Sequence, residues 1–343
     1  MPSSSPVAPL LPLLVPILLA AIPASVSAPL TAQTAAAPEQ PPEFYTFGDP
    51  AAPTPARPSP GLLLMGGGKR DASALQWFFA KAARGHVVII SASYGKEMGE
   101  EFFRTSQGPA SVEVVVFHAR SQSADPAILR KLARADGIFI AGGDQARYVR
   151  FWKGTEVARL LDAHVAAGKP LGGTSAGLAV LGEALYGAMD GNSIASAEAM
   201  AAPFGPGVTI ERDFLHLPLL SGIITDSHFA QRDRLGRLLA FVAKAQHLTG
   251  KPMTGIGIDE DAALMVEPDG AARLASPHPD GAAWIVDGSA LHISPSPRPL
   301  TASAITVTLA NPASTVHLPS ARVESPAAVR RYDVRAGKLI AKP

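Results

Sequence analysis

The chain contains no cysteine among its 343 residues. Disulfide bonds, thiolate-ligated zinc sites and cysteine nucleophiles are therefore excluded together. Net charge is also nearly absent, since 30 Lys and Arg residues offset 29 Asp and Glu residues to leave +1. This balance gives no basis for nucleic acid or an anionic membrane as a partner. With 47% hydrophobic residues, the fold must depend on a buried core, which a chain of this length can build.

Long apolar runs are scarce, and the N-terminal one, residues 10–22, is too short to span a bilayer comfortably. It is followed by Val26-Ser27-Ala28, where small residues suit signal peptidase. We therefore predict a signal peptide over residues 1–28, cleaved after Ala28, and a secreted or periplasmic protein without a membrane anchor. The alternative is a disordered Pro/Ala leader, because no Lys or Arg precedes the apolar run. Residues 29–60, rich in Pro, Ala and Thr, predict an extended linker.

From Gly61 onward, apolar runs of strand length alternate with helical patterns. The predicted strands are 62–65, 86–90, 112–117, 137–141, a short one at 171, 222–225 and 254–258. The predicted helices are 72–83, 126–135, 155–167 and 229–245. This alternation predicts an α/β catalytic domain over residues 61–262 with a mainly parallel, doubly wound sheet. Short strands separated by Gly, Pro, Asp and Ser predict a β-rich C-terminal extension over residues 263–343.

Glycine and polar clusters directly follow most of these predicted strands. They lie at 66–68, 91–93, 142–145, 174–175, 226–228 and 259–261. The carboxyl ends of parallel strands share one edge of a sheet, which is where open α/β proteins place their sites. We therefore expect these clusters to converge.

A G-x-S-x-G pattern occupies residues 173–177, between the short strand at 171 and a predicted helical stretch over 178–185. This is the context of a nucleophile elbow, in which a sharp turn exposes the serine hydroxyl above the sheet. It predicts Ser175 as a nucleophile and the amide of Ala176 as an oxyanion donor. The alternative is a serine in a glycine-rich turn that binds phosphate.

A serine nucleophile needs a base and an orienting acid. His228 lies in the cluster that follows the predicted strand 222–225 and is the candidate base, although an isolated histidine often caps a helix or lies in the core. Glu260 is the candidate acid, with Asp259 and Asp261 as rivals. Three consecutive acids could also bind a metal, but no second ligand cluster supports one, and no cofactor is predicted. The order Ser, His, Glu differs from that of ordinary α/β-hydrolases, which disfavours a standard esterase or lipase.

The glycine cluster at 142–145 offers a second oxyanion donor, which we assign to Gly143, and Gln145 offers a donor and an acceptor to a substrate backbone. A tight turn capped by Asp144 is the alternative.

Three arginines follow His228. In a regular helix, at ~100° per residue, Arg232 and Arg234 would border opposite edges of the apolar stripe and Arg237 would point away from it. The three cannot share one narrow face, so either the site wraps around the helix start or one or two of them are solvated. A guanidinium beside the candidate base favours carboxylate binding.

Four motifs together resemble the cyanophycinase-like serine peptidases, the family that also contains dipeptidase E. They are Gly-Gly-Asp-Gln at 142–145, Gly-Gly-Thr-Ser-Ala-Gly at 172–177, Asp-x-His-Phe-x-x-Arg-x-Arg-x-x-Arg at 226–237 and Gly-Ile-Gly-Ile-Asp-Glu-Asp at 255–261. The resemblance covers roughly residues 61–292. It implies a class I glutamine amidotransferase-like α/β fold.

The resemblance also implies site residues. These are Ser175, His228 and Glu260 as catalytic residues, with substrate contacts at Gln145, Asp226, Arg232, Arg234 and Arg237. The family substrate is cyanophycin, a polyaspartate backbone with arginine joined to each side chain, from which β-aspartyl-arginine is released. Ser227 stands where the family has glutamine.

We therefore predict a serine exopeptidase acting on cyanophycin or related β-aspartyl peptides. The alternatives are an amidase, esterase or dipeptidase of the same fold acting on α-aspartyl or other small substrates, or a non-enzymatic protein that binds acidic peptides. Dimerisation is common among related folds, so a homodimer is an open expectation that no interface in the sequence supports.

Overall fold

The computed structural model describes residues 39–54 and 56–343, and residues 39–343 cluster as one compact unit. The predicted signal peptide, residues 1–28, lies outside the described residues, as do residues 29–38 of the predicted linker. Within the described part, no helix combines the length and apolarity that a membrane crossing requires.

The secondary structure alternates strands and helices up to about residue 258 and consists mainly of strands thereafter. The strands are β1 (Glu43–Gly48), β2 (Leu62–Met65), β3 (His86–Ser91), β4 (Ser111–Val116), β5 (Gly137–Ile140), β6 (Leu171–Thr174), β7 (Ala184–Tyr186), β8 (Ile210–Arg212), β9 (Ile223–Asp226), β10 (Thr254–Ile258), β11 (Ala263–Val266), β12 (Ala271–Ala275), β13 (Ala283–Asp287), β14 (Ala302–Ala310), β15 (Thr315–His317), β16 (Arg322–Glu324), β17 (Ala328–Arg335) and β18 (Lys338–Lys342). The α-helices are α1 (Ala72–Lys81), α2 (Lys96–Arg104), α3 (Pro126–Arg134), α4 (Gln145–Trp152), α5 (Glu156–Ala166), α6 (Ala176–Ala179), α7 (Ser196–Ala201) and α8 (Leu235–Thr249).

Two sheets carry these strands. The first has the order β1-β4-β3-β5-β6-β2-β11-β12-β15-β16, and its five strands from β4 to β2 are mutually parallel. The second has the order β18-β17-β14-β13-β10-β9-β7-β8, in which β7, β9 and β10 are parallel. The α/β class is as predicted, but the parallel strands are divided between two sheets. The parallel run of the first sheet stops at β2 because antiparallel β11 occupies its other edge.

Alternate residues along the parallel strands face different cores. Leu63 and Val87 pack in the cluster that contains the α1 and α2 phenylalanines. Leu62 and Val88 pack in the cluster that contains residues of α3, α4 and α5. Helices thus cover both faces of this part of the sheet, which explains why its strands read as continuous apolar runs rather than alternating ones.

Two predicted regions differ from the structure. Residues 43–48, assigned to the linker, form β1, which pairs antiparallel with β4 at the edge of the first sheet. The prolines on either side of this segment led to its assignment as linker, although the strand itself contains no proline. The predicted β-rich extension, residues 263–343, is divided between the two sheets, because β11, β12, β15 and β16 extend the first sheet while β13, β14, β17 and β18 extend the second.

Two predicted helices also differ. The helix assigned to 229–245 begins at Leu235 instead, after a 3₁₀ turn over Ala230–Arg232 and the left-handed residue Asp233 (φ 47°). The helical stretch assigned to 178–185 ends at Ala179, because the chain enters β7 at Ala184.

Candidate active site

Ser175 lies in a sharp turn between β6 and α6, with φ 54° and ψ −116°. A positive φ is costly for a residue with a Cβ and persists only where the surrounding packing imposes it. Gly177 contributes to that packing, since a Cβ added there would lie 2.1 Å from the carbonyl oxygen of Ile140 in β5. The glycine therefore lets the turn press against the neighbouring strand end, and the serine side chain projects above the sheet.

Ser175, His228 and Glu260 form a chain of hydrogen bonds. The Ser175 Oγ lies 2.7 Å from Nε2 of His228, and Nδ1 of His228 lies 2.5 Å from Oε1 of Glu260. A carboxylate at Nδ1 requires the proton on that nitrogen in the neutral ring, which leaves Nε2 as an acceptor for the serine hydroxyl. The His228 amide also donates to the Gly66 carbonyl over 2.7 Å, which joins the end of β2 to the end of β9.

The imidazole of His228 favours its neutral form. Burial lowers the pKa of His228 below its usual value, and the positive charges of Arg232 and Arg234 lower it further, against the opposing hydrogen bond to Glu260. A neutral imidazole at neutral pH has the protonation state that proton acceptance from a serine requires.

The three consecutive acids point in different directions. Asp259 accepts hydrogen bonds from two backbone amides and from the indole of Trp284, and burial raises its pKa. Asp261 accepts from the Lys69 amide and pairs with His278, a hydrogen bond that lowers its pKa. Only Glu260 of the three contacts the imidazole. Across residues 39–54 and 56–343, no three His, Asp or Glu side chains are grouped to hold a metal ion.

Ser175 and His228 open onto a cavity of about 490 Å³. Its wall also includes Arg70, Tyr94, Gly143, Asp144 and Arg232. The cavity lies above the carboxyl ends of β2, β3, β5 and β6, so several of the predicted clusters do converge.

The predicted oxyanion donors flank the nucleophile. Gly143 lines the cavity, and a Cβ added to its neighbour Gly142 would lie 3.3 Å from Cβ of Ser175. Ala176 is the first residue of α6, so its amide has no acceptor within the helix. Gln145 is placed differently, because its side-chain amide donates to the Tyr186 carbonyl over 2.9 Å and the residue does not line the cavity.

Asp226, Arg234 and Arg237 lie in the interior. Arg237 forms a bidentate pair with Asp226, at 2.8 Å from Nε and 2.5 Å from Nη2, and Arg234 donates to Asp226 over 3.4 Å and to the Ser227 carbonyl over 2.8 Å. Only 3% of Arg237 is exposed, and burial lowers the pKa of Arg234 to about 10. The prediction that these three side chains contact substrate is not supported by their positions, which suit holding the strand end in place.

Arg232 differs from the other two arginines. Its side chain is 52% exposed, lines the cavity and brings Nε to 3.8 Å from Oε1 of Glu260. It occupies this position because it precedes the left-handed Asp233 and lies outside α8. Of the predicted substrate contacts, the cavity therefore retains Arg232 and leaves out Gln145, Asp226, Arg234 and Arg237.

Comparison with known proteins places this chain in a family. The sequence profile of peptidase family S51 matches residues 62–274. The chain belongs to peptidase family S51. The predicted resemblance to cyanophycinase-like peptidases is thereby confirmed, and this S51 protein is a peptidase by family.

Curated relatives of this S51 peptidase include cyanophycinases. The protein from Trichormus variabilis is 29% identical over 252 residues, which cover 69% of this chain and 77% of the relative. The protein from Synechococcus elongatus is 32% identical over 181 residues, which cover 52% of this chain and 50% of the relative.

Two solved structures are also similar to this chain. A peptidase from an acI-B1 Actinobacterium has a TM-score of 0.46 and 14% identity, covering 83% of this chain and 97% of that one. A putative peptidase E protein from Listeria monocytogenes has a TM-score of 0.42 and 17% identity, covering 64% and 99%.

Sequence reasoning gave Gly67 no role within its predicted cluster and missed the cavity residues Arg70, Tyr94 and Met98 of this S51 peptidase. Gly67 makes room for the imidazole, since a Cβ added there would lie 2.3 Å from Cε1 of His228. Arg70 is held by Glu101 of α2, and Tyr94 is 56% exposed at the cavity wall. The glycine cluster at 66–68, two residues before Arg70, and the cluster at 91–93, directly before Tyr94, were the available signals.

Proposed function

We propose that this peptidase is a serine exopeptidase, on a class I glutamine amidotransferase-like fold, that hydrolyses cyanophycin or related β-aspartyl peptides. The observation that carries the proposal is the hydrogen-bonded chain from Ser175 through His228 to Glu260, which begins on a strained elbow and opens onto a cavity. Nucleophile, base and orienting acid within hydrogen-bond reach are what serine acyl transfer requires.

The proposed reaction proceeds through an acyl-enzyme. Ser175 Oγ attacks the scissile carbonyl carbon while Nε2 of His228 takes its proton, and Glu260 stabilises the resulting imidazolium. The amides of Gly143 and Ala176 hold the oxyanion. The imidazolium then protonates the leaving amine. Water, deprotonated by His228, hydrolyses the serine ester and restores the free hydroxyl.

Charges in the cavity support an aspartyl-arginine substrate. Arg232 offers a guanidinium to an aspartyl carboxylate, a pairing that is strong when bidentate. The Asp144 carboxylate caps α4 through one oxygen and has its other oxygen 3.6 Å from Nε of Arg147, but it is 47% exposed on the same cavity wall and offers a partner to a substrate guanidinium. The curated relatives named cyanophycinase agree with this choice of substrate.

A second candidate is a dipeptidase, amidase or esterase of the same fold that acts on α-aspartyl or other small substrates. Ser227 favours it. Where the resemblance expects a glutamine, this serine is buried, and its Oγ accepts from Arg234 over 3.3 Å instead of lining the cavity. Ser227 therefore offers no side-chain contact to a substrate in this cavity.

The test is an assay of the purified protein and its Ser175→Ala variant on cyanophycin and on α- and β-linked aspartyl dipeptides. Ser289→Ala, which removes an exposed hydroxyl that does not line the cavity, is the matched control. Cyanophycin cleavage that is lost in Ser175→Ala and kept in Ser289→Ala would support the first candidate. Cleavage of small substrates alone would favour the second, and hydrolysis that persists in Ser175→Ala would overturn both.

We also propose that the protein is exported and that residues 1–28 are removed, on the basis of the apolar run and the small residues before Pro29. N-terminal sequencing of the protein from the extracytoplasmic fraction should then begin at Pro29. A mature protein that retains Met1 would contradict the proposal. Sedimentation of that same material would test the homodimer.

A further inference from the structure

A second cavity, of about 420 Å³, lies on the other side of Glu260. Its wall includes Asp259, Glu260, His278, Asp280, Trp284 and Arg330. Glu260 thus borders this cavity while its Oε1 contacts His228, which lines the first one. The two cavities also share a turn of chain, since Arg232 lines the first and Gln231 lines the second.

Part of this cavity's wall comes from C-terminal strands that the family profile does not include. Trp284 lies in β13, Leu309 in β14 and Arg330 in β17, whereas the profile ends at residue 274. These strands pair as neighbours in the second sheet, so the wall is a rigid part of the fold. It is therefore a candidate source of specificity beyond the common hydrolytic chemistry.

The side chains of this wall are held in fixed positions. The Trp284 indole donates to Oδ1 of Asp259 over 3.1 Å, and its ring lies against Phe229, the residue that follows His228. The Arg330 guanidinium lies 4.9 Å from the centre of the Trp284 ring, a cation–π arrangement that orients it. An oriented guanidinium loses less conformational entropy when it binds a carboxylate.

Two exposed charged side chains of opposite sign line this cavity. Among residues 39–54 and 56–343, neither the Asp280 carboxylate nor the Arg330 guanidinium forms an ion pair, although both line the same cavity. Asp280 is exposed, and Arg330 is exposed on β17. An exposed carboxylate and an exposed guanidinium in one cavity are complementary to a ligand that carries one guanidinium and one carboxylate.

We propose that this cavity is a second substrate subsite, which binds an aspartyl-arginine unit of a longer peptide while another unit occupies the cavity at Ser175. Arg330 receives the unit's carboxylate and Asp280 its guanidinium. The proposal rests on the proposed function for the identity of the peptide. It adds that a multi-unit chain passes around Glu260 and gains affinity from the C-terminal strands.

Binding tests the subsite without depending on turnover. In the Ser175→Ala protein, calorimetric titration would compare a peptide of one β-aspartyl-arginine unit with a peptide of four units. We expect Arg330→Ala and Asp280→Asn each to weaken binding of the four-unit peptide about tenfold and to leave the one-unit peptide unchanged, the size of one charge-assisted contact. Arg331→Ala removes a neighbouring exposed arginine that does not line the cavity, and it should change the affinity for neither peptide.

The outcomes separate this proposal from the proposed function. No binding of the four-unit peptide, equal weakening of both peptides, or an Arg331→Ala effect as large as that of Arg330→Ala would each overturn the subsite. If wild-type protein hydrolyses neither peptide but binds the four-unit one in an Arg330-dependent manner, the subsite stands and the proposed reaction fails.

Discussion

The segment from Asp226 to Arg237 contributes residues both to the cavity at Ser175 and to the protein interior. His228 and Arg232 face the cavity, and Arg232 is 52% exposed, while Asp226 and Arg237 are 1% and 3% exposed. Two left-handed residues divide them, since His228 and Asp233 have φ of 47°. Charged residues that are adjacent in a motif therefore differ in environment because the backbone reverses between them.

The energetics of the two regions differ accordingly. A buried ion pair whose partner is removed leaves an uncompensated charge, at a cost of about 3–5 kcal/mol. An exposed pair such as Arg232 with Glu260, 3.8 Å apart, contributes about 1 kcal/mol or less. We therefore expect substitutions in the cavity to reduce activity and substitutions in the interior to reduce stability.

The largest effect should come from Glu260→Gln. Without a carboxylate at Nδ1, His228 is no longer held in the tautomer that accepts the serine proton. We expect kcat/KM to fall about 10⁴-fold, roughly 5.5 kcal/mol in transition-state stabilisation, with the urea unfolding midpoint unchanged. Asp261→Asn makes the same change one residue away and should stay near wild type. An equal loss in both variants would contradict the distinct role of Glu260.

Asp226→Asn should destabilise the buried cluster that Asp226 forms with Arg234 and Arg237. Two buried guanidinium groups would lose their shared carboxylate, so we expect the free energy of unfolding to fall by about 3 kcal/mol. Equilibrium urea denaturation measures this. Asp233→Asn is the control, because Asp233 is exposed and asparagine tolerates the left-handed conformation. A loss below about 0.5 kcal/mol for Asp226→Asn would show that the cluster is not structural.

Gly67→Ala should affect activity more than stability. The added Cβ would displace the imidazole of His228, and a displacement of about 1 Å costs about 100-fold in kcat/KM. Gly191→Ala is the matched control. Gly191 has a φ of +90°, close to the +104° of Gly67, but no atom lies within 4 Å of a Cβ added there. Both should lose stability to backbone strain, but only Gly67→Ala should lose activity.

Arg232→Met should have the smallest effect on activity, and it should alter both KM and the pH profile. KM for acidic peptides should rise about tenfold, because one guanidinium contact is lost. The pH profile should also move. His228 must be neutral to act, so kcat/KM rises as pH rises through its lowered pKa. Removing the charge of Arg232 raises that pKa and shifts the acid limb to higher pH.

The control for Arg232→Met is Arg159→Met, an exposed arginine on α5. It changes the net charge equally and should leave both KM and the acid limb in place. An acid limb that moves to lower pH in Arg232→Met would contradict the assigned base.

The strands and the polar clusters at their ends could be predicted from the sequence because they are local patterns. Leu62–Met65 and Thr254–Ile258 are apolar runs of strand length, and their boundaries agree with the structure. The positions of Ser175 directly after β6 and of His228 two residues after β9 follow from the same logic.

The division of the arginines could not be predicted in this way. It depends on a positive φ at Asp233, a residue type that adopts this conformation only occasionally, and on the resulting start of α8 at Leu235. The second sheet was missed for another reason. Pairing β10 with β13 joins residues about thirty positions apart, and nothing local in either strand specifies its partner.

Edge strand β1 sets a practical limit on how far the protein can be shortened. A recombinant chain begun at Gly61, where strand–helix alternation starts in the sequence, would lack the six residues that pair with β4. The unpaired amides and carbonyls of β4, in a run that contains Val112, Val114 and Val116, would then be open to another copy. We expect such a truncated protein to aggregate, and the shortest soluble form to begin before Glu43.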